Sequence, residues 1–280
     1  MDLSKIKALR ELTGMGMLEV KKALAEADDD LEKAKTILMK QTTKTENTSG
    51  RVASKGLTRV KTLNNEAILF EVNAETDFIS KHPDFIKLLD DLSEALILSK
   101  AITVKDALKV IVSEKTAQDY ILQVAHIVKE NLYLRRFHRI KKQDTQVFQT
   151  YMHLDGKVSV LVILDKSSEK NRDIALQITS HQPQYLSYDN IDQETINYEK
   201  MMFEKQQGTD QKDFEAYLKS LCLYDQPFIK DPQQSVKSYL DDVNVIDFYR
   251  FELGQGIENK LNCRLDIPCD GSKITVTPIY

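Results

Sequence analysis

The chain has 280 residues, 41% of them hydrophobic and 29% charged, which is the composition of a globular protein with room for two or three domains. Its 43 acidic and 39 basic residues leave a net charge of -4, so the field of the whole molecule argues against nucleic acid as a partner. No apolar run approaches the roughly 18 residues of a membrane span. The N-terminus lacks a targeting pattern and the three cysteines form no framework, so we expect no membrane partner and a cytoplasmic location.

The first part of the chain is predicted to be a small helical domain. Apolar residues recur at helical spacing in three runs, Ile6–Leu12, Met17–Ala27 and Leu31–Leu38. These runs predict a three-helix domain over residues 1–41, near the lower size limit of a module that folds alone. The segment that follows has no large apolar side chain up to Gly50 and cannot bury a face, so we predict a linker over residues 42–54.

A β-hairpin with helices is predicted next. Apolar alternation marks strands at Leu57–Leu63 and Ala67–Asn73, the second of them half-buried, and the pair Asn64-Asn65 tolerates the positive φ of a tight turn. Helical spacing follows in three runs, Phe85–Leu96, Val104–Val112 and Ala117–Glu130. We predict that residues 55–142 form a core N-subdomain in which the hairpin lies under helices.

The second half of the chain repeats this scheme. Strands are predicted at Thr145–Leu154, Lys157–Leu164, Val245–Leu253 and Ile274–Ile279, and helices at Asn171–Ser180, Gln193–Gln206 and Asp210–Leu221. Asp155-Gly156 is a strong hairpin signal between the first two strands. The last two helices predict an inserted helical hairpin at about 190–222. Residues 143–280 are predicted to form a core C-subdomain, and the fold class is α+β with antiparallel sheets.

The stretch Glu71–Lys81 lies where the first hairpin meets the helical run that begins near Pro83, so it is a strand-to-helix junction. Thr76 suits an N-cap because its hydroxyl can accept a hydrogen bond from a first-turn amide, and a carboxylate at Asp77 suits the positive end of the helix dipole. Phe78 either folds back into the core or projects as an apolar wedge for a partner. Burying a phenyl ring is worth about 1.5–3 kcal/mol, which favours the core for an arbitrary aromatic; both interpretations stay open.

The residue patterns of common enzymes and nucleotide-binding proteins are missing from the sequence. There is no GxxxxGK(S/T) loop, no GxGxxG after a strand and no HExxH, and no Ser or Cys sits in a recognisable nucleophile turn. The five histidines lack metal-ligand spacing. We predict a protein that is not an enzyme, holds no cofactor or metal and does not bind nucleotide directly; turnover of a small substrate by the chain alone would contradict this.

One basic cluster, Arg135–Lys142, keeps a nucleic-acid hypothesis open. Its arginines and lysines could contact phosphates, which would give an RNA- or ribosome-binding protein. The structural interpretation is a charged strand edge or helix exit with Phe137 and Ile140 turned inward. The acidic total favours the structural interpretation.

Two long motifs resemble those of one family, the translation elongation factor Ts proteins of bacterial type. The first runs from Leu9 to Leu24 (LRELTGMGMLEVKKAL) and the second from Glu71 to Lys81 (EVNAETDFISK). Shorter matches follow in family order at Glu130-Asn131 with Arg135-Arg136, Gln226-Pro227-Phe228 and Arg250–Glu258. The resemblance therefore covers nearly the whole chain.

The resemblance implies a fold and an activity. The fold is a ubiquitin-associated-like three-helix domain, a linker and a core of two related α+β subdomains, the second with a helical hairpin that looks shorter than is common. The activity is guanine-nucleotide exchange on the GTPase elongation factor Tu during polypeptide elongation, with binding to its nucleotide-free and GDP-bound forms. Exchange makes and breaks no bond, which accounts for the missing catalytic residues.

The resemblance also implies which residues contact the GTPase. Asp77 and Phe78 would insert near its Mg²⁺ and nucleotide site, with Phe78 wedged between helices and with Thr76 and Ile79 on either side. The other implied contacts are Met17, Leu18 and Lys21 in the N-terminal domain and Val128, His153, Phe228 and Ile229 in the core. Where the family commonly has an Ile-Gly pair before its Glu-Asn, this chain has Val128-Lys129, and a lysine does not allow the close backbone approach of a glycine.

Overall fold

The computed structural model describes residues 5, 6, 9, 17–34, 37, 53–206 and 211–257. The chain divides into two compact units. The first contains the described residues within Met1–Ile140, Asp155–Lys157 and Phe251–Tyr280, and the second consists of Lys141–Leu154 and Val158–Arg250. The finer division into residues 1–41, 42–54, 55–142 and 143–280 stays a prediction.

Helix α1, Met17–Glu26, lies in the N-terminal part. Its buried face belongs to a small apolar cluster formed by Ile6, Leu9, Val20, Ala23, Leu24, Ala27 and Ala34. After α1, the Asp30 carboxylate accepts hydrogen bonds from the backbone N–H groups of Glu32 at 3.0 Å and Lys33 at 3.1 Å, as a helix N-cap does. The ubiquitin-associated-like fold of residues 1–41 stays a prediction, because many of these residues lie outside the described part.

Strands β1, Lys55–Leu63, and β2, Glu66–Ala74, form the predicted antiparallel hairpin. Asn64 lies in the connecting turn with φ 53°, a conformation that asparagine tolerates. The prediction that β2 is half-buried is wrong, because every residue of the strand after Glu66 is buried.

Three helices follow the hairpin: α2 (Pro83–Leu98), α3 (Val104–Lys109) and α4 (Ala117–Val128). The predicted helix Val104–Val112 is too long. Its last two residues, Ile111–Val112 (β3), pair instead with Lys115–Thr116 (β4) in a small antiparallel hairpin. Ser113 and Glu114 both have positive φ in its turn, which is the geometry of a tight two-residue connection.

Strand β5, Tyr133–Lys141, completes a sheet with the order β1-β2-β5. The helices and this sheet share one apolar core, in which the largest fully buried side chains are Leu57, Ile68, Phe70, Phe85, Leu88, Leu89, Leu92 and Leu96. The predicted arrangement of a hairpin under helices is therefore confirmed, with a third strand added by the chain that follows α4.

The second unit begins with the predicted second hairpin. Strands β6, Val147–His153, and β7, Val158–Leu164, pair in antiparallel register. The turn between them has positive φ at Asp155 and Gly156, as the Asp-Gly signal predicts. Helix α5, Lys170–His181, then contributes Ile174, Ala175 and Ile178 to a core with the buried side chains of β7.

The remaining elements lie in the second unit, apart from the last two residues of β10. They are helices α6 (Gln193–Gln206) and α7 (Gln211–Ser220), strands β8 (Pro227–Phe228) and β9 (Asp231–Ser235), helix α8 (Val236–Leu240) and strand β10 (Val245–Glu252). The order of the main sheet is β10-β7-β6. Rings of Phe203, Phe214 and Tyr217 contact one another between α6 and α7, so the helical hairpin packs on itself. The predicted strand Ile274–Ile279 lies outside the described residues.

Mixed helices and antiparallel sheets confirm the α+β class. In the described ranges no helix has both the length and the apolar character needed to cross a membrane.

Candidate functional site

The Phe78 turn, Glu75–His82, joins the end of β2 to the start of α2. Asp77–Lys81 form a 3-10 helix and Pro83 opens α2, so the predicted strand-to-helix junction is confirmed. Thr76 has extended backbone at the N-cap position, but its side chain makes no capping hydrogen bond. The predicted capping role is wrong, because the Thr76 hydroxyl donates instead to the carboxylate of Glu130.

The two apolar side chains of the Phe78 turn have different surroundings. Phe78 is 88% exposed, whereas Ile79 is 2% exposed and belongs to the core of the first unit. The interpretation in which Phe78 projects is therefore confirmed. An exposed phenyl ring forgoes the roughly 1.5–3 kcal/mol that burial yields, and a partner that covers the ring can recover this free energy.

Polar side chains just after α4 hold the first residues of the Phe78 turn. Thr76 donates from its backbone N–H to Oε2 of Glu130 at 3.0 Å and from its hydroxyl to Oε1 at 2.5 Å. Asn131 donates from Nδ2 to the carboxylate of Glu75 at 2.5 Å. These contacts join segments 54 and 56 residues apart in the sequence, so the turn is held by tertiary structure.

Asp77 lies beside Phe78 at the exposed tip. Its side chain is 62% exposed, and Oδ2 lies 3.7 Å from Nζ of Lys55 at the start of β1. An exposed ion pair of this kind contributes about 0–1 kcal/mol. Lys55 can therefore release the carboxylate to a partner at little cost.

The end of α4 orients the residues that hold the turn. The helix ends at Val128, which is half-buried and packs against the core, so the predicted end at Glu130 is two residues too late. Lys129 has left-handed backbone, φ 60° and ψ 33°, and its N–H donates to the carbonyl of Ala125. Glycine adopts this conformation without strain and lysine does so rarely. The chain leaves α4 through Lys129 and brings Glu130 and Asn131 to the Phe78 turn.

A fully buried carboxylate pairs with two arginines of β5. Glu71 lies in β2 and accepts hydrogen bonds from Arg135 Nη1 at 3.1 Å, Arg136 Nε at 2.5 Å and the backbone N–H of Gly254 at 2.9 Å. Sequence reasoning missed this pairing. The signal was a glutamate inside an apolar strand together with two adjacent arginines, since a buried charge requires partners.

The basic cluster Arg135–Lys142 lies on β5 as a charged strand. Phe137 and Ile140 are buried, as the structural interpretation predicts. Arg139 donates to a carboxylate on β2 and, from Nη2, to the backbone carbonyl of Leu96 at 2.5 Å. The three guanidinium groups of the cluster therefore have acceptors inside the protein, which weakens the hypothesis that they contact RNA.

The N-terminal contact residues implied by the resemblance lie on α1. Met17 is 47% exposed and Lys21 is half-buried, so a partner can reach both side chains. The side chain of Leu18 lies outside the described part. These positions stay predictions.

In the second unit, the residues with implied contacts differ in exposure. The His153 side chain at the end of β6 is exposed, 3.3 Å from the Tyr151 hydroxyl. Phe228 is 2% exposed and stacks on Tyr239 with ring centroids 3.8 Å apart, whereas the next residue, Ile229, is 39% exposed. Ile229 can therefore meet a partner directly, and Phe228 can act only by supporting it.

The described residues contain neither a metal-binding group nor a reactive thiol. Among the described residues, no group of three or more His, Cys, Asp or Glu side chains could hold a metal ion. Burial, with smaller contributions from Asp225 and Asp189, raises the pKa of the Cys222 thiol to about 12. The thiolate is therefore scarcely populated at neutral pH, and Cys222 acts as a packing residue. Cys263 and Cys269 lie outside the described residues.

Comparison with known proteins identifies the family. The family model described as Elongation factor TS matches residues 75–255, a span that contains the Phe78 turn and the residues that hold it. The chain is 37% identical over 277 residues to the elongation factor Ts of Acholeplasma laidlawii (strain PG-8A), and the alignment covers 92% of this chain and 94% of that protein. The chain belongs to the elongation factor Ts family.

Proposed function

We propose that Asp77 and Phe78 carry the guanine-nucleotide exchange that this protein, as an elongation factor Ts, performs on elongation factor Tu. In the proposed complex, Phe78 inserts as an apolar wedge between helices of the GTPase and Asp77 enters beside its Mg²⁺ and nucleotide site. The metal site is disturbed and GDP leaves. No covalent bond is made or broken, so the exchange needs no nucleophile or cofactor from this chain.

The observation that supports the proposal is an exposed phenyl ring on a turn that is otherwise held in place. Phe78 is 88% exposed, while Ile79 is anchored in the core and Thr76 is bonded to Glu130. A side chain presented on a fixed backbone loses less conformational entropy on binding than one on a free loop. Covering the ring yields about 1.5–3 kcal/mol, which is available in the complex and not in the free protein.

Exchange then follows from thermodynamic reciprocity. An exchange protein that binds the nucleotide-free GTPase more tightly than the GDP-bound form must lower the affinity of the GTPase for GDP by the same ratio. In ordinary allostery this coupling free energy is about 1–3 kcal/mol. The wedge supplies this difference, because the gap that receives the ring opens as the metal site is disturbed. This chain therefore binds both the GDP-bound and the nucleotide-free GTPase, and GDP leaves from a complex of the chain, the GTPase and GDP.

Asp77 places a negative charge next to the wedge. In the free protein its carboxylate lies 3.7 Å from Nζ of Lys55, an exposed pair that separates at little cost. Magnesium prefers oxygen ligands in a near-ideal octahedron. A carboxylate brought close to that octahedron competes with its ligands and with the phosphates, which favours loss of the metal and the nucleotide.

Further contacts with the GTPase are proposed from the family resemblance and from side-chain exposure. They are Met17, Leu18 and Lys21 on α1, Val128 beside the Phe78 turn, and His153 and Ile229, with Phe228 supporting, in the second unit. We also propose that residues 1–41 form a ubiquitin-associated-like domain tethered by residues 42–54. The protein works in the cytoplasm, where polypeptide elongation takes place.

Stopped-flow release of fluorescent GDP from elongation factor Tu tests the wedge. We expect Phe78→Ala to slow release at least about tenfold, because truncating the ring removes a contact worth about 1.5–3 kcal/mol. The matched control is Leu98→Ala, which truncates another exposed apolar side chain of the first unit, 72% exposed at the end of α2. We expect this control to release GDP within about twofold of wild type, as for an ordinary surface substitution.

The same variants separate a wedge from a core residue. Phe78→Ala should unfold in urea at the wild-type midpoint, because its ring contributes little burial in the free protein. Wild-type release kinetics in Phe78→Ala would remove the wedge from the mechanism. A large loss of stability in Phe78→Ala would show that the ring is buried in solution.

A further inference from the structure

The carboxylate of Glu130 contacts the Phe78 turn through both of its oxygens. Oε2 accepts the backbone N–H of Thr76 at 3.0 Å, and Oε1 accepts its hydroxyl at 2.5 Å. Hydrogen bonds to an ionised acceptor are about twice as strong as neutral ones. Glu130 therefore fixes the backbone and the side chain of Thr76 together, and Thr76 lies two residues before Phe78 in the chain.

Contacts on both sides of the tip restrict its direction. Before the tip, Asn131 donates to the Glu75 carboxylate at 2.5 Å, next to the bonds from Thr76. After the tip, Ile79 is buried in the core. Asp77 and Phe78 are thus the two exposed residues of a segment that is anchored at each end.

We propose that Glu130 is a positioning residue for nucleotide exchange: it holds Thr76 so that Phe78 and Asp77 are directed at the GTPase. This inference rests on the proposed function of those two residues. Glu130 acts through Thr76 and touches neither the GTPase nor the nucleotide. Without it the turn keeps its anchors at Ile79 and at Glu75 but loses the restraint on Thr76, the residue next to the tip.

The chemistry at Thr76 predicts how different replacements of Glu130 behave. The backbone N–H can only donate, so it needs an acceptor, whereas the hydroxyl can donate or accept. A glutamine offers one acceptor oxygen to the N–H and an amide group to the rotated hydroxyl, so Glu130→Gln retains both contacts as weaker neutral bonds. A methionine has similar length but no comparable acceptor, so Glu130→Met loses both.

Single-turnover kinetics separate a misdirected wedge from a folding defect. Trace elongation factor Tu loaded with fluorescent GDP is mixed with increasing excess of the full-length chain, which yields a maximal rate constant and a half-saturating concentration. A partly unfolded preparation raises only the half-saturating concentration, because the folded molecules still act at the normal rate. A misdirected wedge lowers the maximal rate constant itself.

We expect Glu130→Met to lower the maximal rate constant about tenfold and Glu130→Gln about two- to threefold, following the strengths of charged and neutral hydrogen bonds. The matched control is Glu94→Met. Glu94 is a glutamate of the first unit that also has a short contact, 2.5 Å from Nζ of Lys61, but its side chain is 64% exposed and it lies far along α2 from the turn. Its replacement should leave the maximal rate constant unchanged within about twofold.

A second measurement needs no GTPase. The chain has no tryptophan, so Phe78→Trp introduces a single tryptophan at the tip, which can be excited selectively over the tyrosines. In this background we expect Glu130→Met to increase the amplitude of the fast component of the anisotropy decay, and Glu94→Met to leave it unchanged. A merely structural role of Glu130 elsewhere in the fold would not change the local motion of residue 78.

The outcomes are distinct. If Phe78→Ala slows release but Glu130→Met has the wild-type maximal rate constant and an unchanged decay, the inference is overturned while the proposed function stands. If Glu130→Met changes only the half-saturating concentration, the inference is also overturned. If Phe78→Ala itself releases GDP at the wild-type rate, the proposed function fails and the inference fails with it.

Discussion

Strand β2 and the Phe78 turn that follows it both break the usual rule of polar outside and apolar inside, in opposite directions. The strand buries the Glu71 carboxylate completely, and the turn exposes the ring of Phe78. Each placement is unfavourable by itself, because a buried charge loses hydration and an exposed ring forgoes burial. The two sites differ in what offsets the unfavourable placement. The protein itself supplies partners for the buried Glu71 carboxylate, whereas the exposed Phe78 ring is left for a binding partner to cover.

The compensation of Glu71 is extensive. Its partners Arg135 and Arg136 also donate to the backbone carbonyls of Gln255 at 2.5 Å and Glu252 at 2.6 Å. The guanidinium of Arg136 lies 4.0 Å from the centroid of the Phe251 ring, a favourable cation–π distance. The buried carboxylate and its two arginines therefore tie residues 251–255 to β2 and β5, and nothing comparable covers Phe78 among the described residues.

Removing the buried carboxylate of Glu71 should destabilise the protein strongly. Glu71→Ala leaves two guanidinium groups without their shared acceptor, and we expect the free energy of unfolding to fall by about 3–5 kcal/mol, as when one partner of a buried ion pair is removed. Urea denaturation followed by circular dichroism measures the change. The control is Glu94→Ala, which breaks the exposed pair with Lys61 and should cost about 0–1 kcal/mol.

The two glutamate variants test whether the burial of Glu71 matters for stability. Equal, small losses for Glu71→Ala and Glu94→Ala would mean that the buried carboxylate is as dispensable as a surface one. The distinction between a compensated strand and an uncompensated turn would then have no energetic basis.

Local patterns in the sequence predicted the elements that local forces determine. Asn64 marked the turn of the first hairpin and Pro83 the start of α2, because backbone preferences of single residues decide both. The β-branched pair Ile111-Val112 suits a helix end or a short strand. The apolar spacing therefore did not determine where α3 ends, and the predicted helix was too long.

Tertiary contacts escaped prediction for a physical reason. The bonds of Glu71 to Arg135 and of Thr76 to Glu130 join residues 64 and 54 apart, and no local preference encodes such pairs. The exposure of Phe78 also depends on tertiary packing, since an aromatic residue that follows a carboxylate in the sequence can be either buried in the core or exposed to solvent. The motifs therefore located the candidate site, and only the structure separated exposed Ile229 from buried Phe228 and exposed Phe78 from buried Ile79.

At the Phe78 turn, the charge of Asp77 should matter for exchange and not for folding. We expect Asp77→Ala to slow GDP release about three- to tenfold, because it removes the carboxylate proposed to act at the metal site, and to change the free energy of unfolding by less than about 1 kcal/mol. Stopped-flow release and urea denaturation of the same preparation measure both quantities.

The control for Asp77 is an equally exposed carboxylate with an equally long ion pair. Asp90 on α2 is 66% exposed and lies 3.8 Å from Arg59, against 62% and 3.7 Å for Asp77 and Lys55. Asp90→Ala should release GDP at the wild-type rate; it is a control for release only, because its partner Arg59 is 11% exposed against 46% for Lys55. Equal release by the two variants would mean that the charge at the tip has no part in exchange.

The smallest expected effect concerns the backbone that leads from α4 to the turn. Lys129 has φ 60° at the end of the helix, where a side chain is strained and glycine is not. We expect Lys129→Gly to raise the free energy of unfolding by about 0.5–1 kcal/mol. The control Lys87→Gly, in the interior of α2, should lower it by about 1 kcal/mol or somewhat more, because there glycine adds conformational freedom to the unfolded chain and removes the ion pair of Lys87 with Asp91. Opposite signs for one and the same substitution would show that the gain belongs to the left-handed backbone at residue 129, whereas a loss in both variants would mean that the lysine is unstrained and that its contacts outweigh its geometry.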